Sequence, residues 1–216
     1  MLLDYQPPQS PYLDILYQDE DIVVLNKPSG LLSVPGKATE HFDSVQYRVQ
    51  RVWPNAAIVH RLDMATSGVM VMALNKVAQR HLNHQFQLRQ TAKIYHARVA
   101  GQVKADSGSI DLPLICDWPN RPKQKVCYQH GKPSLTNFKV LARGEHETRL
   151  QLEPVTGRSH QLRVHLQFIG HPILGDKFYA KMVSSEVARL QLHAVSLELQ
   201  HPSTGVLQKF AALCPF

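Results

Sequence analysis

The sequence predicts an α+β domain with a central, mixed and mostly antiparallel sheet flanked by helices and loops. Three observations support this class. The 216 residues are enough for one domain with a substantial core. Many short apolar or alternating segments of strand length are separated by turn signals. Far fewer segments show helical spacing, and a mixture of this kind is typical of α+β domains.

The predicted elements follow one another along the whole chain. Residues 22–25 and 69–74 are apolar on both faces, as in buried strands, and residues 95–99 alternate as in a half-buried strand. Asp43 or Ser44 can cap a first helix carrying Val45, Val49 and Val52, and Asn75 can cap a second. The remaining predictions are strands at residues 136–140, 150–153 and 195–199, a helix at residues 159–169, and an N-terminal arm at residues 1–12.

Basic residues are concentrated in the body of the chain. The formal net charge is +7, from 24 Lys and Arg against 17 Asp and Glu. Residues 1–42 contain two basic and six acidic residues, whereas residues 43–216 contain 22 basic and 11 acidic ones. This surplus favours a polyanionic partner, most simply nucleic acid, but charge alone fits an ordinary basic protein equally well.

The sequence lacks the signals of secretion and membrane insertion. Its longest apolar run, residues 69–74, is much shorter than the ~20 residues that span a bilayer. The N-terminus lacks the basic and apolar regions of a secretory signal. Cys116, Cys127 and Cys214 are an odd number without metal or disulfide spacing. These features predict a cytoplasmic protein without a metal site.

The first candidate for chemistry is the segment His60-Arg61-Leu62-Asp63, which leads into the central strand. An aspartate in such a loop can be held rigidly while staying open to a ligand. In an extended segment, Arg61 and Asp63 project to the same side. Taken alone, this tetrapeptide fits a surface ion pair or an Asx turn better than a catalytic site.

The second candidate is the segment GRSHQLRVH at residues 157–165. On a helix, His160, Arg163 and Gln167 share a polar face, which could bind a phosphate or carboxylate or could be a solvated basic surface. The opposite stripe would contain Leu162, Leu166 and Ile169. A third candidate, Tyr95, shares a strand face with Ala97 and Val99, which predicts a buried ring; most such tyrosines are structural.

Taken together, these segments resemble the RluA family of RNA pseudouridine synthases. The matching motifs are NKPxGL at 26–31, HRLDxxTSG at 60–68, KxYxAxVxG at 93–101, GRxHQLRxH at 157–165, GHPIxGDxxY at 170–179 and LHA at 192–194. The resemblance covers about residues 12–212 and points to members that modify both 23S rRNA and tRNA anticodon stem-loops. It implies the pseudouridine synthase fold, with a catalytic cleft across the sheet. Residues 13–216 would form a single catalytic domain, without an S4 domain.

The resemblance also implies roles for individual residues. Asp63 corresponds to the family's nucleophile and Arg163 to the arginine that pairs with it. Tyr95 would stack on the flipped base and is a candidate for proton abstraction, while Leu162 would pack against the base from the other side. Arg61 would fill the space that the flipped uridine leaves. The reaction requires no metal, redox cofactor or energy source.

Other polar residues are expected to contact the RNA. The predicted phosphate contacts are Lys76, Arg80 and Arg89 on the second helix and Arg121, Lys123 and Lys125 in a Pro-rich loop. His60 is expected beside the site, where hydrogen bonding to loops is favoured over proton transfer. The predicted partners are 23S rRNA and tRNA stem-loops, with no DNA and no membrane, and the protein is expected to be a monomer.

Three rival functions follow from the same residues. A non-catalytic RNA-binding or ribosome-assembly module would keep the fold, although the intact Asp63, Tyr95 and Arg163 argue against it. A glycoside hydrolase would need a second acid in a matching motif. A histidine-based metal hydrolase would need ligand spacing that His160 and His165, five residues apart, do not provide.

Overall fold

The computed structural model describes residues 5–180 and 187–216. Its strands and helices follow one another in a mixed order along the chain. In chain order they are β1 (Ile15–Gln18), β2 (Ile22–Lys27), α1 (Val45–Gln50), β3 (Ala57–Ile58), β4 (Ser67–Ala73), α2 (Lys76–Gln87), β5 (Ala92–Ala100), β6 (Ser107–Asp111), β7 (Leu114–Cys116), β8 (Gln124–Val126), β9 (Leu135–Arg143), β10 (Glu147–Pro154), α3 (Gln161–Phe168), β11 (Leu192–Gln200) and β12 (Leu207–Ala211). Single 3-10 turns occupy Thr39–His41 and Trp118–Asn120.

The chain forms two compact units. The first combines residues 1–93 with residues 194–215, and the second contains residues 94–193 and Phe216. In the first unit, the strand order is β1-β2-β4-β11, with β3 added to β4 and β12 to β11. In the second unit, the order is β5-β10-β9-β6, with every neighbouring pair antiparallel, and β7 and β8 form a separate antiparallel pair.

The core of the first unit lies on the central strands β2 and β4. All seven residues of β4 are buried, as expected for a strand covered on both faces. The helix α2 adds Ala78 and Leu82 to a cluster that includes Val24, Val71 and Leu199. This packing holds β4, which begins at Ser67, shortly after the HRLD segment.

One glycine is required where β4 begins. Gly68 has a φ of +114°, and a Cβ at this position would lie 2.2 Å from the carbonyl oxygen of Ala194. Any side chain would therefore both strain the backbone and displace the adjacent strand. The glycine that ends the HRLDxxTSG motif thus has a structural explanation.

Two helix starts agree with the capping residues predicted from the sequence. Ser44 accepts a hydrogen bond from the backbone N–H of Tyr47 at 3.2 Å, and Asn75 accepts one from Ala78 at 2.9 Å. Of the two caps considered for α1, Ser44 is therefore the one used. Asp43 instead forms a bidentate pair with the fully buried Arg48.

Other local predictions need correction. Val52 was expected on the apolar face of α1 but lies beyond its end and is exposed. The third helix begins at Gln161 rather than Ser159, because His160 has a left-handed φ of +54° that no helix can include. Ile169 follows that helix and is partly exposed instead of completing its buried stripe.

The described part of the predicted N-terminal arm is held by specific hydrogen bonds. Arg48 donates to the carbonyl oxygens of Pro8 and Tyr12 at 2.9 and 3.0 Å. The hydroxyl of Tyr5 donates to the carbonyl of Asp43 at 2.7 Å and accepts the N–H of Leu32. Residues 5–12 therefore pack along the first unit.

The predicted fold class is confirmed: antiparallel strands predominate and helices are few. Each predicted strand exists and is longer than expected. Within residues 5–180 and 187–216, no helix has the length and apolar character needed to cross a membrane.

Candidate active site

The HRLD loop of the first unit connects β3 to β4. Arg61 is exposed, Leu62 is buried and Asp63 is partly buried, which matches the alternation expected of an extended segment. The carbonyl oxygen of Asp63 accepts the backbone N–H of Thr66 at 3.1 Å, so the chain turns directly after the aspartate. The structure thus holds Asp63 in a tight loop at the edge of the core.

Ser33 anchors the loop one residue before Asp63. Its hydroxyl donates to the carbonyl oxygen of Leu62 at 2.6 Å and accepts the N–H of the same residue at 3.2 Å. Both Ser33 and Leu62 are buried. A single side chain therefore satisfies both backbone polar groups of a buried residue, which would otherwise cost free energy.

Lys27 anchors the loop one residue after Asp63. The residue is only 1 % exposed. Its ammonium group donates to the carbonyl oxygens of Pro28, Leu31 and Met64 at 2.9, 2.7 and 3.0 Å. The N–H of Gly30 also donates to the Met64 carbonyl. The buried positive charge next to the Asp63 loop is electrostatically suited to a carboxylate.

His60 has a structural environment. Its Nε2 atom accepts the N–H of Val71 at 3.0 Å, and its ring stacks on Phe86 with centroids 4.7 Å apart. Burial, with a smaller contribution from the charge of Lys93, lowers the pKa of His60 to about 3. The imidazole is therefore neutral at physiological pH and bonds to the backbone of Val71 within the central strand β4, in line with the favoured structural role.

The basic residues predicted on the second helix are all exposed. Lys76 and Arg80 lie on the outer side of α2, and Arg89 follows the helix with a φ of +58°. Nearby Lys93 is largely enclosed, and burial, together with the charge of Arg89, lowers its pKa. This part of the first unit presents a cationic surface.

In the second unit, Tyr95 lies in β5 opposite the fully buried Leu152. It shares its strand face with the buried residues Ala97 and Val99, as the alternation predicts. Its own ring is only partly buried. Tyr95 therefore lies at the margin of a packed face, where a ring can still meet a ligand.

The start of α3 is held by the side chain of Gln161. Its Oε1 atom accepts the N–H of Arg158 at 3.0 Å and the hydroxyl of Thr156 at 2.7 Å, while its Nε2 atom donates to the Leu135 carbonyl. The next residue, Leu162, is buried. This network fixes the first turn of the helix, although His160 provides no side-chain cap.

Arg163 was predicted on a polar helix face that either binds an anion or is solvated; the side chain is buried and binds a carboxylate, which excludes the solvated alternative. Its Nε and Nη2 atoms donate to the two carboxylate oxygens of Asp176 at 2.7 and 2.8 Å. Side-chain exposure is 5 % for Arg163 and 0 % for Asp176. The guanidinium also lies 5.3 and 5.2 Å from the ring centres of Phe178 and Tyr179.

Tyr179 connects this arginine to its surroundings. Its hydroxyl lies 2.8 Å from Nδ1 of His160 and accepts the N–H of Gln124 at 2.8 Å. Asp176 and Tyr179 belong to the GHPIxGDxxY motif, which by itself predicts no role for either residue. The sequence feature that could have drawn attention to both residues is the GDxxY spacing at residues 175–179.

The Pro-rich basic loop forms the β7–β8 pair and the 3-10 turn between them. Arg121 stacks over the exposed ring of Trp118 at 4.6 Å, and Lys125 forms an ion pair with Asp117 at 3.3 Å. Lys123 is of intermediate exposure. The predicted phosphate contacts thus share one cationic hairpin with an exposed aromatic ring.

Among the described residues, Asp19, Asp21 and His201 place potential ligand atoms within 4.8 Å of one another. Asp19 is already engaged by the hydroxyl of Tyr17, by His201 and by two backbone N–H groups. Although burial opposes ionisation, these bonds hold the pKa of Asp19 below its usual value. The cluster is a hydrogen-bonded turn after β1, remote in sequence from the HRLD loop.

The predicted site residues are therefore distributed over both units. The first unit contains Arg61, Asp63, His60 and the cations on and after α2. The second contains Tyr95, Leu162, Arg163 and the basic hairpin. Comparison with known proteins identifies what this set of residues represents.

The profile of the family described as RNA pseudouridylate synthase matches residues 21–168. The chain belongs to the RNA pseudouridylate synthase family. The enzymes of this family are isomerases. The matched range includes Asp63, Tyr95 and Arg163. It ends before Asp176 and Tyr179, which lie outside the family match.

Relatives in the RNA pseudouridylate synthase family are highly similar over nearly the whole of this chain. The dual-specificity RNA pseudouridine synthase RluA of Escherichia coli (strain K12) is 57 % identical over 215 residues, covering 99 % of this chain and 98 % of that protein. The protein of the same name from Vibrio vulnificus (strain CMCP6) is 55 % identical over 223 residues, covering 100 % and 88 %.

Solved structures of the family share the fold. Human RNA pseudouridylate synthase domain containing 1 superimposes with a TM-score of 0.81 at 28 % identity, covering 98 % of this chain and 87 % of that one. Human RNA pseudouridylate synthase domain containing 4 gives a TM-score of 0.76 at 26 % identity, covering 94 % and 88 %. The predicted pseudouridine synthase fold is thereby confirmed.

Proposed function

We propose that this chain converts uridine to pseudouridine in stem-loops of both 23S rRNA and tRNA, with Asp63 as the nucleophile. The observation that carries the proposal is the full-length similarity, at 55–57 % identity, to relatives named as dual-specificity RNA pseudouridine synthases. The rigid loop around Asp63 supports the assignment, because a nucleophile must be held in a productive geometry.

The reaction exchanges one bond for another within the same nucleotide. The bond from N1 of the base to C1′ of the ribose breaks, the base turns, and C5 bonds to C1′. C5 then loses its proton and N1 gains one, so no electrons or groups enter or leave. Attack of Asp63 on the ribose, attack on the base, and elimination to a glycal all begin with an ionised carboxylate, which the positive charge of Arg163 would favour.

Three further residues would handle the base. Tyr95 would stack on the extruded uracil, and its hydroxyl oxygen is the candidate acceptor of the C5 proton. Leu162 would pack on the opposite face of the base. Arg61, which is exposed next to Asp63, would occupy the gap in the RNA stack with its planar guanidinium and offset part of the unstacking cost.

The cationic surfaces would bind the RNA backbone. Lys76, Arg80 and Arg89 form one such surface, and Arg121, Lys123 and Lys125 form another; both are assigned to phosphates. Loop shape and unstacked bases would supply specificity. We assign residues 13–216 to one catalytic domain that acts as a monomer in the cytoplasm, where the three free cysteines would stay reduced.

The test is the substitution Asp63→Asn, which removes the nucleophilic charge and preserves side-chain shape. Pseudouridine formation in an anticodon stem-loop transcript and in a 23S rRNA stem-loop is measured by tritium release, and RNA affinity by filter binding. We expect no detectable product from Asp63→Asn, with affinity within about threefold of the wild type. Asp111→Asn, at an exposed position in β6, is the matched control and should retain full activity.

The outcomes distinguish the proposal from its rival. Full activity in Asp63→Asn would refute the assignment of the nucleophile. A wild-type protein that binds both RNAs without releasing tritium would instead support a non-catalytic RNA-binding module.

A further inference from the structure

Asp176 is the centre of four hydrogen bonds that converge on one buried carboxylate. Its Oδ2 accepts Nε of Arg163 at 2.7 Å. Its Oδ1 accepts Nη2 of Arg163 and the backbone N–H groups of Phe178 and Tyr179, at 2.8, 2.9 and 3.2 Å. All four donors are supplied by the second unit, so the arrangement is complete within one compact body.

We propose that Asp176 is a positioning residue for pseudouridine formation: it sets the plane and direction of the Arg163 guanidinium. The inference rests on the role proposed above for Arg163. Arginine has a long side chain with considerable rotamer freedom, and a bidentate carboxylate removes that freedom more effectively than a single bond. Arg163 would therefore be preorganised before RNA binds.

The chemistry of the pair suits an arginine that must serve a second anion. A guanidinium has five N–H donors arranged in a planar fork. Asp176 occupies the edge formed by Nε and Nη2, and the donors on Nη1 point away from that edge. One arginine can thus be fixed by one carboxylate and still stabilise another, whereas the single ammonium of a lysine has no such fixed second edge.

The aromatic rings that follow Asp176 limit the remaining motion of the guanidinium. Phe178 and Tyr179 place their ring centres 5.3 and 5.2 Å from the Arg163 guanidinium carbon. The same carboxylate that holds Arg163 also holds the backbone of these two residues. The ion pair and the rings therefore move together as one element.

Tyr179 extends this element to two other parts of the second unit. Its hydroxyl bonds to His160, the residue that precedes α3, and to the backbone of Gln124 in the basic hairpin. A displaced Asp176 loop would thus alter both the start of the helix that carries Arg163 and the position of the hairpin.

The central test compares Asp176→Asn with a matched control. Asparagine keeps the size and the acceptor for the backbone N–H groups but removes the charge that binds Arg163. Asp43→Asn makes the same change beside Arg48, another buried arginine held by a bidentate aspartate, in a region without a proposed catalytic role. Folding is checked by circular dichroism and thermal melting.

The readouts separate positioning from stability. The rate constant for pseudouridine formation is measured in single turnover at saturating anticodon stem-loop RNA, and Kd is measured separately. We expect Asp176→Asn to slow the chemical step about 10- to 100-fold, the scale of a misplaced catalytic group, with Kd changed less than threefold. Asp43→Asn should melt at a lower temperature but react within twofold of the wild-type rate.

A second variant keeps the test decisive if Asp176→Asn folds poorly. In Asp176→Ser, the hydroxyl can still accept the backbone N–H groups that follow it, as in an ST turn, but no carboxylate remains. We expect a slow enzyme whose rate rises several-fold in formate, since formate can replace the missing carboxylate. Chloride at the same ionic strength should give no such rise.

Each result has a defined meaning. A folded Asp176→Asn protein with the wild-type rate overturns the inference, as does a loss no larger than that of Asp43→Asn. If neither Asp176 variant folds, the pair is a purely structural element and the inference is rejected. Arg163→Ala is the discriminating variant: if it retains the full rate, the proposed role of Arg163 fails, whereas a slow Arg163→Ala beside a fast Asp176→Asn rejects only the positioning role.

Discussion

Ser33 and Leu62 are joined by two hydrogen bonds through a single hydroxyl group, 29 residues apart in sequence. Leu62 lies between Arg61 and Asp63, the two residues of the loop with proposed roles on the RNA. The hydroxyl satisfies both the N–H and the carbonyl of Leu62, as a neighbouring strand would do. The direction of both functional side chains therefore depends on a serine that has no part in the reaction.

Ser33→Ala should reduce both stability and catalysis. The change leaves a buried N–H and a buried carbonyl without their partner, which costs about 1–3 kcal/mol of unfolding free energy. The loosened loop should also slow the chemical step at saturating RNA. Urea denaturation and single-turnover kinetics measure the two effects. Ser109→Ala, which removes an exposed hydroxyl bonded to Asn137, should change neither. An unchanged unfolding free energy for Ser33→Ala would contradict this account.

His60 should make the fold sensitive to acid. Its pKa is lowered from the ordinary value of 6.5 to about 3, so the unfolded chain binds a proton more readily than the folded one. The resulting destabilisation is absent above pH 6.5 and grows as the pH falls towards 3. His60→Gln preserves an acceptor for the Val71 N–H and removes the titration.

The acid sensitivity is measured by urea denaturation at pH 6 and pH 4. The loss of unfolding free energy between these values should be smaller in His60→Gln than in the wild type by roughly 1–2 kcal/mol, after allowance for partial solvent screening. His146→Gln, at a highly exposed position, is the control and should behave like the wild type. Equal losses in all three proteins would exclude His60 as the origin.

Arg80 should contribute to RNA affinity in a salt-dependent manner. If it neutralises one phosphate, Arg80→Gln should reduce the steepness of log K against log [salt] by about 0.7–0.9. The rate at saturating RNA should remain unchanged, because the residue binds the backbone and not the reacting base. Lys209→Gln, on the exposed side of β12, is a charge-matched control that should preserve the slope. An unaltered slope for Arg80→Gln would remove α2 from the binding surface.

Local signals in the sequence were sufficient for most of the fold. Ser44 and Asn75 cap helices through hydrogen bonds to residues three positions away. Capping of this kind can be predicted because both partners lie close together in the sequence. The unbroken apolar run at residues 69–74 likewise indicated a strand that is buried on both faces. By contrast, β6, with the sequence SGSID, is too polar and glycine-rich to show a strand period, and it forms because β9 supplies its hydrogen bonds.

The site could be predicted only in part, because its supporting contacts are not local. The helical pattern left open whether Arg163 binds an anion or is solvated, since its partner Asp176 lies 13 residues further along the chain and outside the helix. Ser33 carried no recognisable signal, and Lys27 appeared only within the NKPxGL motif without a role, because their partners lie 29 and up to 37 residues away. A motif identifies the residue types at a site, whereas the bonds that orient them depend on the complete fold.

Every one of these anchors of the HRLD loop comes from residues 27–33, which bond to Leu62, Met64 and Ala65 through both side chains and backbone. The conformation of the HRLD loop therefore depends on residues outside the loop. Transplanting residues 60–68 alone onto another scaffold would transfer the chemical groups without the contacts that orient them. A transfer would have to include at least residues 27–33 together with residues 60–68.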